Sequence, residues 1–159
     1  MILLRLLLCI FCLAICACKK EDKNNAPIAY FNGMSKYVML HAQQDSFNLQ
    51  LSYLDIDGDL GNDTLPSLFL YDSRNNELLK SYIIPDLNPS GTVFKQEGDI
   101  NITLGSPCCH LEAEAIADCW INEPEKNDSL FVKIVLKDKA GLESKPIMTA
   151  NRIRLKCQR

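Results

Sequence analysis

The chain has 159 residues, 17 basic against 20 acidic side chains, a formal net charge of −3, and 47% apolar residues. That is enough chain for one domain with a self-sufficient core. The mildly acidic balance, with no basic stripe interleaved with aromatics, argues against nucleic acid as a partner.

Residues 1–17 read as a signal peptide. Arg5 supplies the positive end, and the apolar run from Leu6 to Ile15 is too short to span a bilayer comfortably. The run ends in Ile15-Cys16-Ala17-Cys18, which resembles a bacterial lipobox and makes Cys18 the residue to be acylated. Several acyl chains on one cysteine anchor firmly, where one alone is marginal. Cleavage before Cys18 leaves 159 − 17 = 142 residues. Residues 18–26 are polar and read as a flexible tether reaching at most about 25 Å. Within it, Lys20-Glu21-Asp22 resembles the surface-export signal of Bacteroidota lipoproteins. The resulting address is the outer membrane, at the cell surface, with a periplasm-facing lipoprotein as the alternative.

Residues 27–159 read as a single β-sandwich domain. Ile28–Phe31 and Tyr37–Leu40 are short β-prone runs separated by Asn32-Gly33. Phe47–Tyr53 alternates strictly, apolar at odd positions and polar at even ones, as a half-buried strand does. Further strands are expected at Ser67–Tyr71, Leu78–Ile84, Thr92–Phe94, Ile100–Leu104, Leu130–Leu136 and within Pro146–Leu155. Ser106-Pro107 has the form of a helix start. Leu111, Ala115, Ile116, Cys119 and Trp120 share one helical face after it, so one short helix is expected near residues 108–120. Short strands at this spacing argue for an all-β, antiparallel two-sheet sandwich.

Two motifs carry a resemblance. Asp55-Ile56-Asp57-Gly58-Asp59-Leu60-Gly61 after an alternating strand, together with Leu136 to Ser144 late in the chain, resembles a group of Bacteroidota surface lipoproteins. Those are similar to immunoglobulin-like, or fibronectin-III-like, sandwiches. The resemblance implies the fold and the address and implies no activity, because a fold alone never does.

The acidic stretch is the most suggestive chemistry. Alternating carboxylates beside glycine can wrap a hard cation such as Ca²⁺, which takes six to eight oxygens. Counted from Asp55, the EF-hand positions 6 and 12 are Leu60 and Pro66, so this is not an EF-hand. Candidate ligands are Asp55, Asp57, Asp59 and Asp63. If Phe47–Tyr53 is strand B and Leu130–Leu136 strand F, the B–C and F–G loops share one end, and Asp138 joins the set. The competing reading is a solvated aspartate-rich turn with no ion.

Cys108, Cys109, Cys119 and Cys157 remain in the exported chain, an even number that favours disulfides. On one continuous helix Cys109 and Cys119 would stand about 15 Å apart, beyond bridging reach. A bridge from the helix to Cys157 is therefore favoured, and zinc held by Cys108, Cys109, His110 and Cys119 is the weaker alternative. Trp120 is a core residue or, if exposed, a sugar platform. No nucleophile elbow or phosphate loop is present. The sequence thus points to a non-enzymatic lipoprotein, a binding or structural accessory with an unidentified protein or glycan partner and its aspartate tip free. The alternative is a calcium-assisted glycan-binding module.

Overall fold

Alternation sets the register of the longest strand and, through it, of the whole chain. In β3 (Ser46–Asp55) the side chains of Phe47, Leu49, Leu51, Tyr53 and Asp55 are buried, while the residues between them are exposed or half-buried. Successive side chains on a strand point to opposite faces, so one row of five faces the core. Its last member is a carboxylate.

The computed structural model describes residues 25–40, 45–90, 92, 94–109 and 127–157, and every regular element among them is a strand. Besides β3 these are β1 (Ile28–Met34), β2 (Val38–Leu40), β4 (Leu68–Asp72), β5 (Leu78–Tyr82), β6 (Gln96–Gly105), β7 (Asn127–Leu130), β8 (Val132–Leu136), β9 (Ile147–Met148) and β10 (Ile153–Lys156). They form three sheets, ordered β1-β3-β6, β5-β4-β8-β9 and β2-β10-β7. All pairings are antiparallel except that of β2 with β10. The second and third sheets follow one another along the same strands: only Phe131 separates β7 from β8. The amide of Thr149 donates to Val132 O (3.0 Å) across that break.

The inward rows of all three sheets pack into one core. Phe47, Leu49 and Leu51 come from the first, Leu68, Leu70, Ile134 and Leu136 from the second, and Met39, Leu130, Ile153 and Leu155 from the third. Each such side chain contributes about 1.5–3 kcal/mol when fully removed from water.

Two expectations need correction. No strand includes Thr92 or Phe94; β6 instead begins at Gln96 and pairs with β3 along its full length. The helix expected near residues 108–120 does not begin where the Ser106-Pro107 signal placed it. Ser106 to Cys109 are irregular, because the Ser106 amide extends the β6 pairing by donating to Asp45 O (2.9 Å). Arg74 Nη2 also donates to Cys108 O (2.9 Å), a second tertiary bond on this irregular segment. The rest of that segment, with Cys119 and Trp120, lies outside the described residues, as do the signal peptide, Cys18 and His41.

Cys109 is bridged to Cys157 just beyond β10, with Cα atoms 6.0 Å apart and a sequence separation of 48. This is the pairing between the 108–120 segment and the last strand that the spacing favoured. Cys108 is disulfide-bonded as well. Both facts leave no thiolate at 108 or 109 for zinc. A loop of that length, closed in the unfolded chain, contributes about 4 kcal/mol by loop-closure entropy. The double substitution Cys109→Ala/Cys157→Ala should therefore lower the free energy of unfolding in urea by roughly that amount; a loss below about 1 kcal/mol would show the bridge to be ornamental.

Candidate metal centre

Two inward rows from different sheets end in aspartate at the same end of the molecule. On β3 the row is Phe47, Leu49, Leu51, Tyr53, Asp55; on β8 it is Val132, Ile134, Leu136 and, just past the strand, Asp138. Asp55 is 0% exposed and Asp138 7% exposed. Period two, continued past the last apolar residue, carries each carboxylate to the rim of the core.

The loop after β3 then folds Asp57 and Asp59 back onto Asp55. Two glycines permit this. Gly58 (φ 71°) and Gly61 (φ 99°) occupy the left-handed region that side chains rarely adopt. A Cβ on either would also run into backbone, at the Phe94 carbonyl and the Pro85 carbonyl respectively. Leu60 sits between them, fully buried, and its amide donates to Asp55 Oδ2 (2.7 Å). The buried Asn88 clamps the outside of the loop, its Nδ2 donating to Gly58 O (3.1 Å) and Thr92 O (2.6 Å).

The turn after β8 closes over this loop. The amides of Lys139 and Ala140 donate to Asp59 O (3.2 Å) and Asp59 Oδ2 (3.1 Å). Asp138 Oδ1 accepts from the Leu142 amide (2.7 Å), which fixes its other oxygen toward the loop residues.

What these bonds leave over is the informative part. Asp55 Oδ1, Asp57 Oδ1, Asp59 Oδ1 and Asp138 Oδ2 are all buried and have no hydrogen-bond partner. One carboxylate oxygen from each of Asp55, Asp57 and Asp59 lies within 4.8 Å of the others. Among the described residues no ion pair joins any of the four carboxylates to a lysine or arginine. Buried acceptors are normally satisfied, so the three gathered orphans, with that of Asp138 at the same end, call for a donor or a cation. Burial pushes the Asp55 and Asp138 carboxyls up to about 6, and the charges of their neighbours Asp57 and Asp59 push the same way. Asp59 is raised too, first by burial and then by Asp57.

Asp63, the remaining candidate, is not in this group. It is exposed, and its Oδ1 accepts from the Asp86 amide (2.9 Å), tying the acidic loop to the next one. Asp86 in turn pairs with Lys139 (2.7 Å), and that contact holds its carboxyl below the usual range. Conversely, the sequence reading passed over Gln96. It stands directly opposite Asp55 in the β3–β6 ladder and is 7% exposed, and both of its amide atoms lack a partner. Directly opposed residues share a face, with Cβ atoms about 5 Å apart. The Gln96 carbonyl is therefore a neutral oxygen beside the cluster. Six to eight oxygens at 2.3–2.6 Å suit Ca²⁺, and oxygens sharing one ion then lie at most about 5 Å apart. The spacing of the three aspartates meets that limit.

No family model matches the chain, and no curated protein matches it in sequence. The chemistry of the loop end has to be read from its own atoms.

A chelator experiment tests the electrostatics. Asp55 and Asp138 bind protons more tightly in the folded chain (about 6) than at the ordinary 3.8 of the unfolded one. Their contribution to stability is thus complete below about pH 4 and lost as pH rises through about 6. In chelator the melting temperature should fall across that window relative to Asp55→Asn/Asp138→Asn. Parallel profiles for the two proteins would mean the carboxylates are ordinary.

Proposed function

We propose that the chain is an exported, lipid-anchored module with no catalytic role, a binding or structural accessory in an outer-membrane assembly, whose loop end is organised by Ca²⁺. The observation that carries the ion is the set of four buried carboxylate oxygens without partners, one each from Asp55, Asp57, Asp59 and Asp138. Each close pair of like charges costs between about 1 and 4 kcal/mol, depending on how much water screens it. A divalent cation removes that repulsion and fills the empty acceptor sites together. Ca²⁺ fits better than Mg²⁺, which insists on octahedral geometry and keeps several waters, whereas these donors are partly walled off from solvent.

The finer fold reading belongs to the same proposal. The orders β1-β3-β6 and β5-β4-β8-β9 correspond to the A-B-E and C′-C-F-G sheets of an immunoglobulin-like, fibronectin-III-like sandwich. In that scheme β7 and β10 extend strands F and G, and β2 is a short A′ strand running parallel to G. Support for the address comes from the lipobox-like Ile15-Cys16-Ala17-Cys18 and the Lys-Glu-Asp tether behind it.

Calcium titration followed by melting is the test. An ion that binds only the folded chain stabilises it by about 2.7 kcal/mol at a hundredfold excess over the dissociation constant. For a domain of this size that is a rise on the order of 10 °C. Asp57→Asn should act with opposite signs in the two conditions, raising the melting temperature in chelator and shrinking the calcium-induced rise. Identical melts with calcium and with chelator would remove the ion from the reading.

A further inference from the structure

The tether and the acidic loops leave the fold at the same end. β1 starts at Ile28, which pairs with Leu54, the residue before Asp55. Ala26, Pro27 and Ile28 border a cleft whose other wall is Gly141, Leu142 and Glu143, in the turn that begins at Asp138. The acylation candidate Cys18 and Asn25, the first described residue, are joined by seven residue-to-residue steps. Fully extended they reach about 25 Å. A lipid on Cys18 would therefore keep the acidic end nearer the bilayer than the Cys109–Cys157 end.

The surface presented at that end suits such a contact. Ile56 (49% exposed), Leu65 (62%), Leu87 (41%) and Phe94 (48%) all belong to loops of the acidic end. Those loops are tied together by the Asn88–Gly58, Asn62–Ile84 and Asp63–Asp86 hydrogen bonds. Of the lysines on or beside these loops, Lys95, Lys137 and Lys139 are paired with Glu97, Glu143 and Asp86. Exposed apolar side chains fit the interface of a bilayer, whose anionic head groups present a negative surface. Bare, the four clustered carboxylates repel that surface; a bound divalent cation cancels much of the repulsion. The lipid makes the contact intramolecular, so even a weak docking surface is highly occupied.

We infer that the acidic end is a calcium-dependent docking surface for the anionic bilayer in which the chain itself is anchored, through Ile56, Leu65, Leu87 and Phe94. This rests on the calcium reading above and adds to it an orientation and a partner.

Brominated phosphatidylglycerol quenches tryptophan that enters the interface. In the acylated chain, reconstituted into vesicles containing that lipid and carrying Trp120→Phe to remove the native signal, Leu65→Trp should be quenched with calcium and released by chelator. Val38→Trp, on β2 away from the acidic end, should stay bright in both. Adding Ile56→Asp/Leu87→Asp should abolish quenching at position 65 while the calcium-induced rise in melting temperature persists. Calcium raising the melting temperature with Leu65→Trp unquenched would overturn the docking alone, as would equal quenching at both positions. Absence of any calcium effect on melting would overturn the ion and the docking with it.

Discussion

A strand whose inward row ends in a carboxylate leaves a charge at the edge of an apolar core, and this molecule does so at both ends. On β4 the row is Leu68, Leu70, Asp72, and Asp72 is 1% exposed. There the sequence supplies the remedy two residues on: Arg74 Nη2 meets Asp72 Oδ2 at 2.5 Å, and the same guanidinium also pairs with Asp128 and donates to Cys108 O. One cation answers two carboxylates and a carbonyl. At the opposite end Asp55 and Asp138 take the same geometric position and receive only amide N–H groups. A carboxylate buried beside others of its kind is tolerated only with a compensating charge, and among the described residues no ion pair provides one there. The contrast between the two ends makes a cation from solution the economical explanation of the second.

The loops at that end are shaped for enclosing something, which sets them apart from an ordinary acidic turn. A solvated turn spreads its carboxylates outward, where water screens them. Here Gly58 and Gly61 turn the backbone back under the Phe94 and Pro85 carbonyls, and the buried Leu60 between them locks the loop to the core. The turn after β8 then bonds to Asp59 by two backbone amides. Backbone amides and the glycine turns hold the carboxylates together, so their repulsion is imposed by the fold and not chosen by the side chains.

Much of this was legible in the sequence where periodicity reaches. The strict alternation of Phe47–Tyr53 carries directly to Asp55, and the strand-order argument brought Asp138 to the same end. Register is where the sequence falls silent. Gln96 pairs with Asp55 only because β6 begins before the apolar run at Ile100, and nothing in its neighbours announces that. Asp63 looks like a member of the cluster because it is close along the chain, yet after Gly61 the backbone has already turned toward Asp86. The Ser106-Pro107 helix signal loses to tertiary bonds at Asp45 and Arg74, since local propensity is worth less than a ladder bond and a charge-assisted one together.

The two ends also differ in what can loosen them. At one end a disulfide, an arginine network and the β2-β10-β7 sheet fix the chain by covalent and internally compensated contacts. At the other, backbone hydrogen bonds hold loops in which, among the described residues, Asp55, Asp57, Asp59 and Asp138 have no ion-pair partner. Local stability follows local contacts, so loss of a cation acts on the acidic loops first and leaves the far end folded. The apolar side chains of Ile56, Leu65, Leu87 and Phe94 are carried by the end so affected. With the proposed ion in place, their presentation as one surface would depend on it even though none of them touches the carboxylates through a bond of its own. The loop backbone supplies the physical link that the proposal needs: whatever orders Gly58 and Asp59 also orders Asn88 and the turn at Asp138.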